Sequence, residues 1–225
     1  PAPPRHSTLR VLACGLAQAA GLYVWLLLPA LAALVALYRL CDIWDLPVRA
    51  PLAGSALDTV AGLPLDTLIA MEAGWLVLSL LVVPMALSRL LMAGVRPGRY
   101  PLWGVVYLRF WLAHKLLVLS PLILLAGSPL LPPMLRLLGA RIGRHCHLGT
   151  VIAPPSLVTI GAGTSLGYGA RVEVHTVEGG WLRLAPVRIG AGCGIGTNSV
   201  VLPGAVLGDG ATVGEQSLVP EDTEI

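Results

Sequence analysis

The sequence predicts a mixed fold: transmembrane α-helices plus an interfacial helix, followed by a left-handed parallel β-helix. Three observations predict it. Two apolar runs of membrane length carry almost no charge. An aromatic segment broken by prolines follows them. From Ile142 onward an aliphatic residue returns at every sixth position.

Bulk composition sets the frame. Of 225 residues, 56% are hydrophobic and 12% charged, against roughly 25% charged in a soluble domain. The composition changes near Leu138. Ten of the twelve aromatic residues precede it, whereas 17 of the 26 glycines follow it. The first part therefore wants lipid and the second does not. The expected divisions are a two-helix transmembrane segment over 1–99, an interfacial or re-entrant amphipathic linker over 100–138, and a β-helix over 139–225. A net charge of +3, scattered along the chain, gives no basic stripe, so no nucleic-acid partner is expected. Cys14, Cys41, Cys146 and Cys193 have neither zinc-type spacing nor a disulfide framework, and reduced thiols are expected. The opening Pro-Ala-Pro-Pro, in place of Met, suggests a piece of a longer polypeptide.

Val11 to Tyr38 contains no charge. As a helix it exceeds the thickness of a hydrocarbon core, so tilt is expected, with a kink at Pro29. A polar interval holds Arg39, Asp42, Asp45, Arg49, Asp58 and Asp66. A second apolar run extends from about Thr67 to Leu87 with one charge, Glu72, read as reaching headgroup water near the outer end. Arg5 and Arg10 precede the first run, and Arg89, Arg96 and Arg99 follow the second. Basic residues mark the cytosolic side. Both ends of this multi-pass segment are thus expected in the cytosol, with the β-helix, at a plasma membrane.

Trp103, Tyr107, Phe110, Trp111 and His114 recur at the spacing of one helical face. An amphipathic helix with aromatics at headgroup depth is expected. Leu116 to Leu135 is uncharged, but Pro121, Pro129, Pro132 and Pro133 break it, which reads as a shallow or re-entrant segment.

The repeat runs Ile142, Leu148, Ile160, Leu166 and Val172, with Pro154 in the missing slot. It resumes as Ile189, Ile195, Val201, Leu207, Val213, Val219 and Ile225. Three hexapeptides make one triangular coil, with the aliphatic residue pointing inward and a small residue at the corner. One coil cannot bury its own core, so coils stack. His145 and His147 flank Cys146 on the first coil. They read as capping the open end or meeting a partner domain, and no metal is assigned.

The period fails between Val172 and Ile189. There Val174-His-Thr-Val177 and Trp181-Leu-Arg-Leu184 read as a short hairpin across Gly179-Gly180. Excursions from a regular scaffold are where function concentrates. This one offers His175, Glu178 and Trp181.

Tyr100-Pro-Leu-Trp-Gly104, Tyr107-Leu-Arg-Phe-Trp111, Leu137-Leu-Gly-Ala-Arg-Ile-Gly143 and the His175-Thr-Val-Glu178 loop carry a resemblance. So does Val187-Arg-Ile-Gly190 to Pro203-Gly204. Together they resemble the terminal region of membrane-bound nonribosomal peptide synthetases of the ε-poly-lysine synthetase kind, within the hexapeptide-repeat acyltransferase superfamily. The resemblance is weak in the first helix and good from Tyr100 to Leu218. It implies an acyltransferase-like module that forms amide bonds between a carrier-bound aminoacyl thioester and an amine, as part of poly-amino-acid synthesis. The implied donor is the phosphopantetheine arm of a carrier domain, with no cofactor bound by the chain itself. The implied partners are carrier and adenylation domains of the same polypeptide and membrane lipid. Sibling β-helix modules in a pseudo-trimer, or a homo-oligomer, complete that set.

That chemistry requires a base for the amine proton, an oxyanion donor and close placement of both substrates. The resemblance assigns the base to His175. Glu178 is expected to orient His175 or to hold the attacking ammonium. Trp181, Arg171 and Asn198 are the expected substrate-binding residues. The family pattern places an acidic residue after this glutamate, where the present sequence has Gly179. The alternatives are a non-catalytic scaffold bracing a pseudo-trimer and product path, and a stand-alone membrane acetyltransferase using coenzyme A.

Overall fold

The computed structural model describes residues 7–44, 54, 59, 60 and 62–225. Arg5, Asp45, Arg49 and Asp58, which entered the charge argument, lie outside the described residues. The chain forms two compact units. One comprises Ala19–Val83. The other joins the described residues up to Gln18 with Pro84–Ile225. This division differs from the expected 1–99, 100–138 and 139–225, because the aromatic segment and the β-coils form one body.

Helix α1 runs Thr8–Ile43 with Pro29 inside it. Helix α2, Leu65–Val77, continues through a π-turn, Leu78–Val82, into α3, Val83–Met92. The stretches Thr8–Cys41 and Asp66–Met92 are long and apolar enough to cross a bilayer, and they contain both expected runs. Leu16, Val24, Leu27 and Ile69 are among the side chains left exposed.

The π-turn has a local cause. Val83 N–H donates to the Leu78 carbonyl, five residues back. The next acceptor in that register is Ser79, and its partner would be Pro84, which has no N–H. Trp25 Nε1–H supplies the bond to the Ser79 carbonyl instead, at 2.9 Å. Trp75 Nε1–H likewise donates to the Leu28 carbonyl at 2.7 Å. In an apolar surround each backbone acceptor needs such a donor.

The other unit begins with strand β1, Gly98–Pro101, followed by helix α4, Val105–Val118, a 3-10 turn, Pro121–Leu125, and helix α5, Leu131–Leu137. Short strands follow: β2 Arg141–Ile142, β3 His147–Leu148, β4 Val158–Ile160, β5 Ser165–Leu166 and β6 Arg171–Val172. Then come β7 His175–Glu178, β8 Trp181–Leu184, β9 Val187–Ile189, β10 Gly194–Ile195, β11 Val200–Val201, β12 Val206–Leu207, β13 Thr212–Val213 and β14 Leu218–Val219.

Three parallel ladders fit a β-helix. They run β2-β4-β9-β12, β3-β5-β10-β13 and β6-β11-β14. Within them Ile142 pairs with Ile160, Leu148 with Leu166 and Val201 with Val219, each 18 residues apart. Ile160–Ile189, Leu166–Ile195 and Val172–Val201 are 29 apart. The excess of eleven residues is the β7–β8 excursion, and the stack continues in register across it. The ladder aliphatics are buried throughout.

A second inward position lies two residues before most ladder residues, and the aliphatic period alone does not reveal it. Ala140, Val158, Thr164, Ala170, Val187, Cys193, Ser199 and Ala205 occupy it, all buried. At three of these positions the hydroxyl or thiol donates to a glycine carbonyl on the neighbouring coil. Thr164 Oγ1 reaches Gly190 at 2.7 Å, Ser199 Oγ reaches Gly214 at 2.6 Å, and Cys193 Sγ reaches Gly208 at 3.1 Å. These polar side chains are buried because their donors are satisfied.

The corner glycines answer to the same stacking. A Cβ on Gly167 would come within 2.8 Å of Thr197 N, and one on Gly161 would meet the Ala191 backbone. Three residues after most ladder positions the chain turns left-handed. Gly163 and Gly192 take that place in some coils, and His145, Asn198 and Asp222 in others, side chains that tolerate it better than most.

The segment after α4 seals the first coil. Leu122, Leu131 and Leu135 are fully buried. Gly127 N–H donates to the Leu148 carbonyl at 2.7 Å. Arg136 Nε donates to the Ile142 carbonyl at 2.8 Å and Nη2 to the Gly143 carbonyl at 2.6 Å. His145 and His147, expected to cap this end or to meet a partner domain, are exposed, and it is the sealing segment that caps it. Val118, Leu119, Ile123, Leu124 and Leu130 remain exposed on the sealing segment.

Candidate functional site

The excursion is a hairpin, as the sequence predicts: β7 pairs antiparallel with β8, with Glu178 opposite Trp181 across Gly179-Gly180. Both glycines have positive φ, the requirement of a tight two-residue turn. A third strand, β1, extends it on the other side of β8. Sequence reasoning missed β1, because Gly-Arg-Tyr-Pro lacks a strand pattern and is recruited by the edge of β8.

Strand alternation decides which residues share a face. His175 lies opposite Leu184 and Val177 opposite Leu182. Leu182 and Leu184 are buried in a core with Met92, Phe110 and Ala113. That face is therefore turned toward α4. Thr176 opposite Arg183, and Glu178 opposite Trp181, point to the other face.

On the α4 face, His175 sits in a ring cluster. Its ring centroid is 4.6 Å from Phe110 and 5.7 Å from His114. Glu173 Oε2 lies 3.4 Å from His175 Nδ1. That nitrogen is buried and makes no aligned hydrogen bond, so the contact is an electrostatic approach. Burial pushes the His175 pKa below its ordinary value. Glu173 opposes the shift and His114 adds to it. The neutral imidazole is thus favoured near pH 7. His114 Nδ1 is 2.9 Å from the Ala153 carbonyl, an acceptor, so this nitrogen carries the proton.

This arrangement corrects two expectations. Glu178 does not orient His175, since alternation puts them on opposite faces. The carboxylate beside His175 is Glu173, two residues upstream in extended chain. The aromatic stripe does not wholly face outward. Phe110 is 4% exposed, because it packs under the hairpin. Trp103 lies before the helix with φ 60°, and its ring meets Tyr107 edge-on at 5.2 Å.

The opposite face forms a cavity of about 270 Å³, lined by Arg99, Thr176, Glu178, Trp181, Arg183 and Glu221. Arg183 donates to Asp222 at 2.5 and 2.7 Å and to Glu221. These bonds, Asp222's first, raise its pKa further. Trp181 Nε1 is buried without a hydrogen-bond partner. Arg171 stands exposed on β6, and Asn198 makes a left-handed corner. Neither shares the ring cluster or this cavity. Among the described residues no group of three His, Cys, Asp or Glu is placed to hold a metal, and all four thiols are free.

Comparison with known proteins places the domain. Residues 186–221 match the family described as bacterial transferase hexapeptide (six repeats). The chain is 38% identical over 150 residues to Delta-poly-L-ornithine synthetase of Acinetobacter baumannii, across 66% of this chain and 11% of that protein. It is 30% identical over 86 residues to YvoF of Bacillus subtilis, a candidate acetyltransferase, across 36% of this chain and 50% of that one. The chain therefore spans about a tenth of the synthetase and half of YvoF. A hexapeptide-repeat-containing acetyltransferase from Vibrio cholerae is 16% identical with a TM-score of 0.37, covering 46% of this chain and 77% of that chain.

Proposed function

We propose that this chain, whose β-domain is a hexapeptide-repeat domain of the bacterial transferase type, is the membrane-anchored amide-forming module of a nonribosomal peptide synthetase. The observation that carries this reading is the half-buried His175, poised neutral between Glu173 and the rings of Phe110 and His114. A neutral imidazole at neutral pH is what removal of an amine proton requires. The similarity to a poly-ornithine synthetase supports the same choice.

In this reading the donor is an aminoacyl thioester on the phosphopantetheine arm of a carrier domain in the same polypeptide. The acceptor amine attacks the thioester carbonyl, His175 takes the nitrogen proton, and the thiol departs. Glu173 steadies the imidazolium as it forms. The cavity around Trp181, with acidic Glu178 and Glu221 beside basic Arg99, lies on the far face of the hairpin and holds a distal part of the peptidyl chain, away from the reacting carbonyl. Adenylation and carrier domains and sibling β-helix modules are the partners. The coils wind left-handed, with six-residue steps too short for a helical crossover. The two helices cross the plasma membrane. Arg10 in the first turn of the first helix, Arg89 in the last turn of the second, and Arg96 and Arg99 beyond it hold both ends and the β-domain in the cytosol. The exposed leucines of the sealing segment rest at the interface.

A stand-alone acetyltransferase using coenzyme A is the competing reading, favoured by the similarity to YvoF. Donor choice separates them. In membranes carrying the full-length polypeptide, we expect consumption of an aminoacyl carrier thioester with amide formation, and none of acetyl-coenzyme A. Acetyl transfer to a small amine, with the carrier thioester left intact, would reverse the assignment. A scaffold role predicts that neither donor depends on His175.

A further inference from the structure

We infer that His114 is the general acid of the transfer, returning a proton to the departing sulfur while His175 takes one from the attacking nitrogen. The inference rests on the acyl-transfer reading above. Packing alone does not need a histidine beside Phe110. Yet α4 and β7, distant in sequence, bring two imidazoles to 5.7 Å between centroids. Phe110 flanks both, at 4.6 Å from His175 and 6.0 Å from His114.

One nitrogen of His114 is committed by a hydrogen bond, and one nitrogen of His175 is buried without one. His114 Nδ1–H donates to the Ala153 carbonyl at 2.9 Å. That acceptor fixes the proton on Nδ1 in either charge state and makes Nε2 the nitrogen that gains or loses one. His175 Nδ1 is buried beside Glu173, which makes Nε2 its working nitrogen as well.

The chemistry calls for two such sites. As the neutral amine attacks, the C–N bond forms and nitrogen becomes positive. His175 Nε2 removes that proton. As it does so the tetrahedral centre collapses, the C–S bond breaks, and the electron pair leaves on sulfur. His114, as imidazolium, donates its Nε2 proton to the thiolate. The products are amide and free thiol, His175 ends charged, and His114 ends neutral. One proton passed between adjacent rings resets the pair. Like-charge repulsion at this separation disfavours two imidazoliums, so release of the proton from His114 accompanies its uptake at His175.

The test varies the leaving thiol. Full-length polypeptide carrying His114→Asn, whose amide retains the donation to Ala153, is compared with the wild type on an alkyl and an aryl thioester of the same aminoacyl unit. An aryl thiolate departs without a proton. We expect kcat to fall about 100-fold on the alkyl donor and by no more than roughly threefold on the aryl donor. An equal loss on both donors, or no loss on the alkyl one, would overturn the role of His114. His175→Gln should be slow on both donors; full activity there would instead remove the acyl-transfer reading. If His114→Asn does not fold, the wild type decides. A shallow dependence of kcat on the leaving thiol's pKa supports the acid, and a dependence as steep as in uncatalysed aminolysis excludes it.

Discussion

Glu173 and His175 stand on the same side of an extended stretch, their Oε2 and Nδ1 atoms 3.4 Å apart. The same alternation sends Thr176 and Glu178 to the far side of the hairpin, opposite Arg183 and Trp181. One backbone habit therefore makes two chemically different surfaces from a single loop.

The two glutamates should behave differently. Glu173→Gln removes the negative charge that favours a protonated His175, and kcat for amide formation is expected to fall about tenfold or more with little change in KM. Glu178→Gln, in the cavity on the far face of the hairpin, is expected to change KM for the peptidyl partner more than kcat. Steady-state kinetics of both variants in the full-length polypeptide check this.

His175 also links stability to pH. Burial lowers its folded pKa below the unfolded value near 6.5. Above that value both states are neutral there, and the contribution to stability is complete. As pH falls below it, the unfolded chain takes up the proton first, and the contribution is lost toward the folded pKa. Melting of the detergent-solubilised protein between pH 7 and 5 should show a smaller drop for His175→Gln than for the wild type. Glu173→Gln should show a larger one, because the group opposing the shift is gone.

Much of this architecture is legible in the residues. The six-residue period from Ile142 to Ile225 fixes the ladders, and Gly179-Gly180 between apolar strands fixes the hairpin. What the period hides is the second inward slot, because Thr164, Cys193 and Ser199 look polar until their bonds to the next coil are seen. The pairing of His175 with Glu173 was open to an i, i+2 argument. Its meeting with His114 was not, since 61 positions separate them in the sequence and only the packing of Phe110 and Ala113 against Leu182 and Leu184 unites them.

Ser199 tests that second slot. Ser199→Ala removes the 2.6 Å donor to the Gly214 carbonyl, and a loss of about 0.5–1.5 kcal/mol is expected. Ser199→Cys keeps a donor of the kind Cys193 provides and should recover part of it. Denaturant unfolding of both variants checks the order.

Stacking makes a contrasting pair of glycines. Gly161→Ala drives a methyl group into the Ala191 backbone, and a loss of about 1–3 kcal/mol is expected. Gly194→Ala meets only the Thr212 methyl, at 3.9 Å, and should leave the melting temperature within a few degrees of the wild type.

The central claim concerns which face of the hairpin performs acyl transfer. The direct measurement is single-turnover transfer of an aminoacyl unit from its carrier thioester to an amine, in full-length polypeptide bearing His175→Ala or Glu178→Ala. The account predicts a loss of about 100-fold or more for His175→Ala and a transfer step nearly unchanged at saturating substrate for Glu178→Ala. Wild-type rates with His175→Ala, beside a collapse with Glu178→Ala, would contradict it.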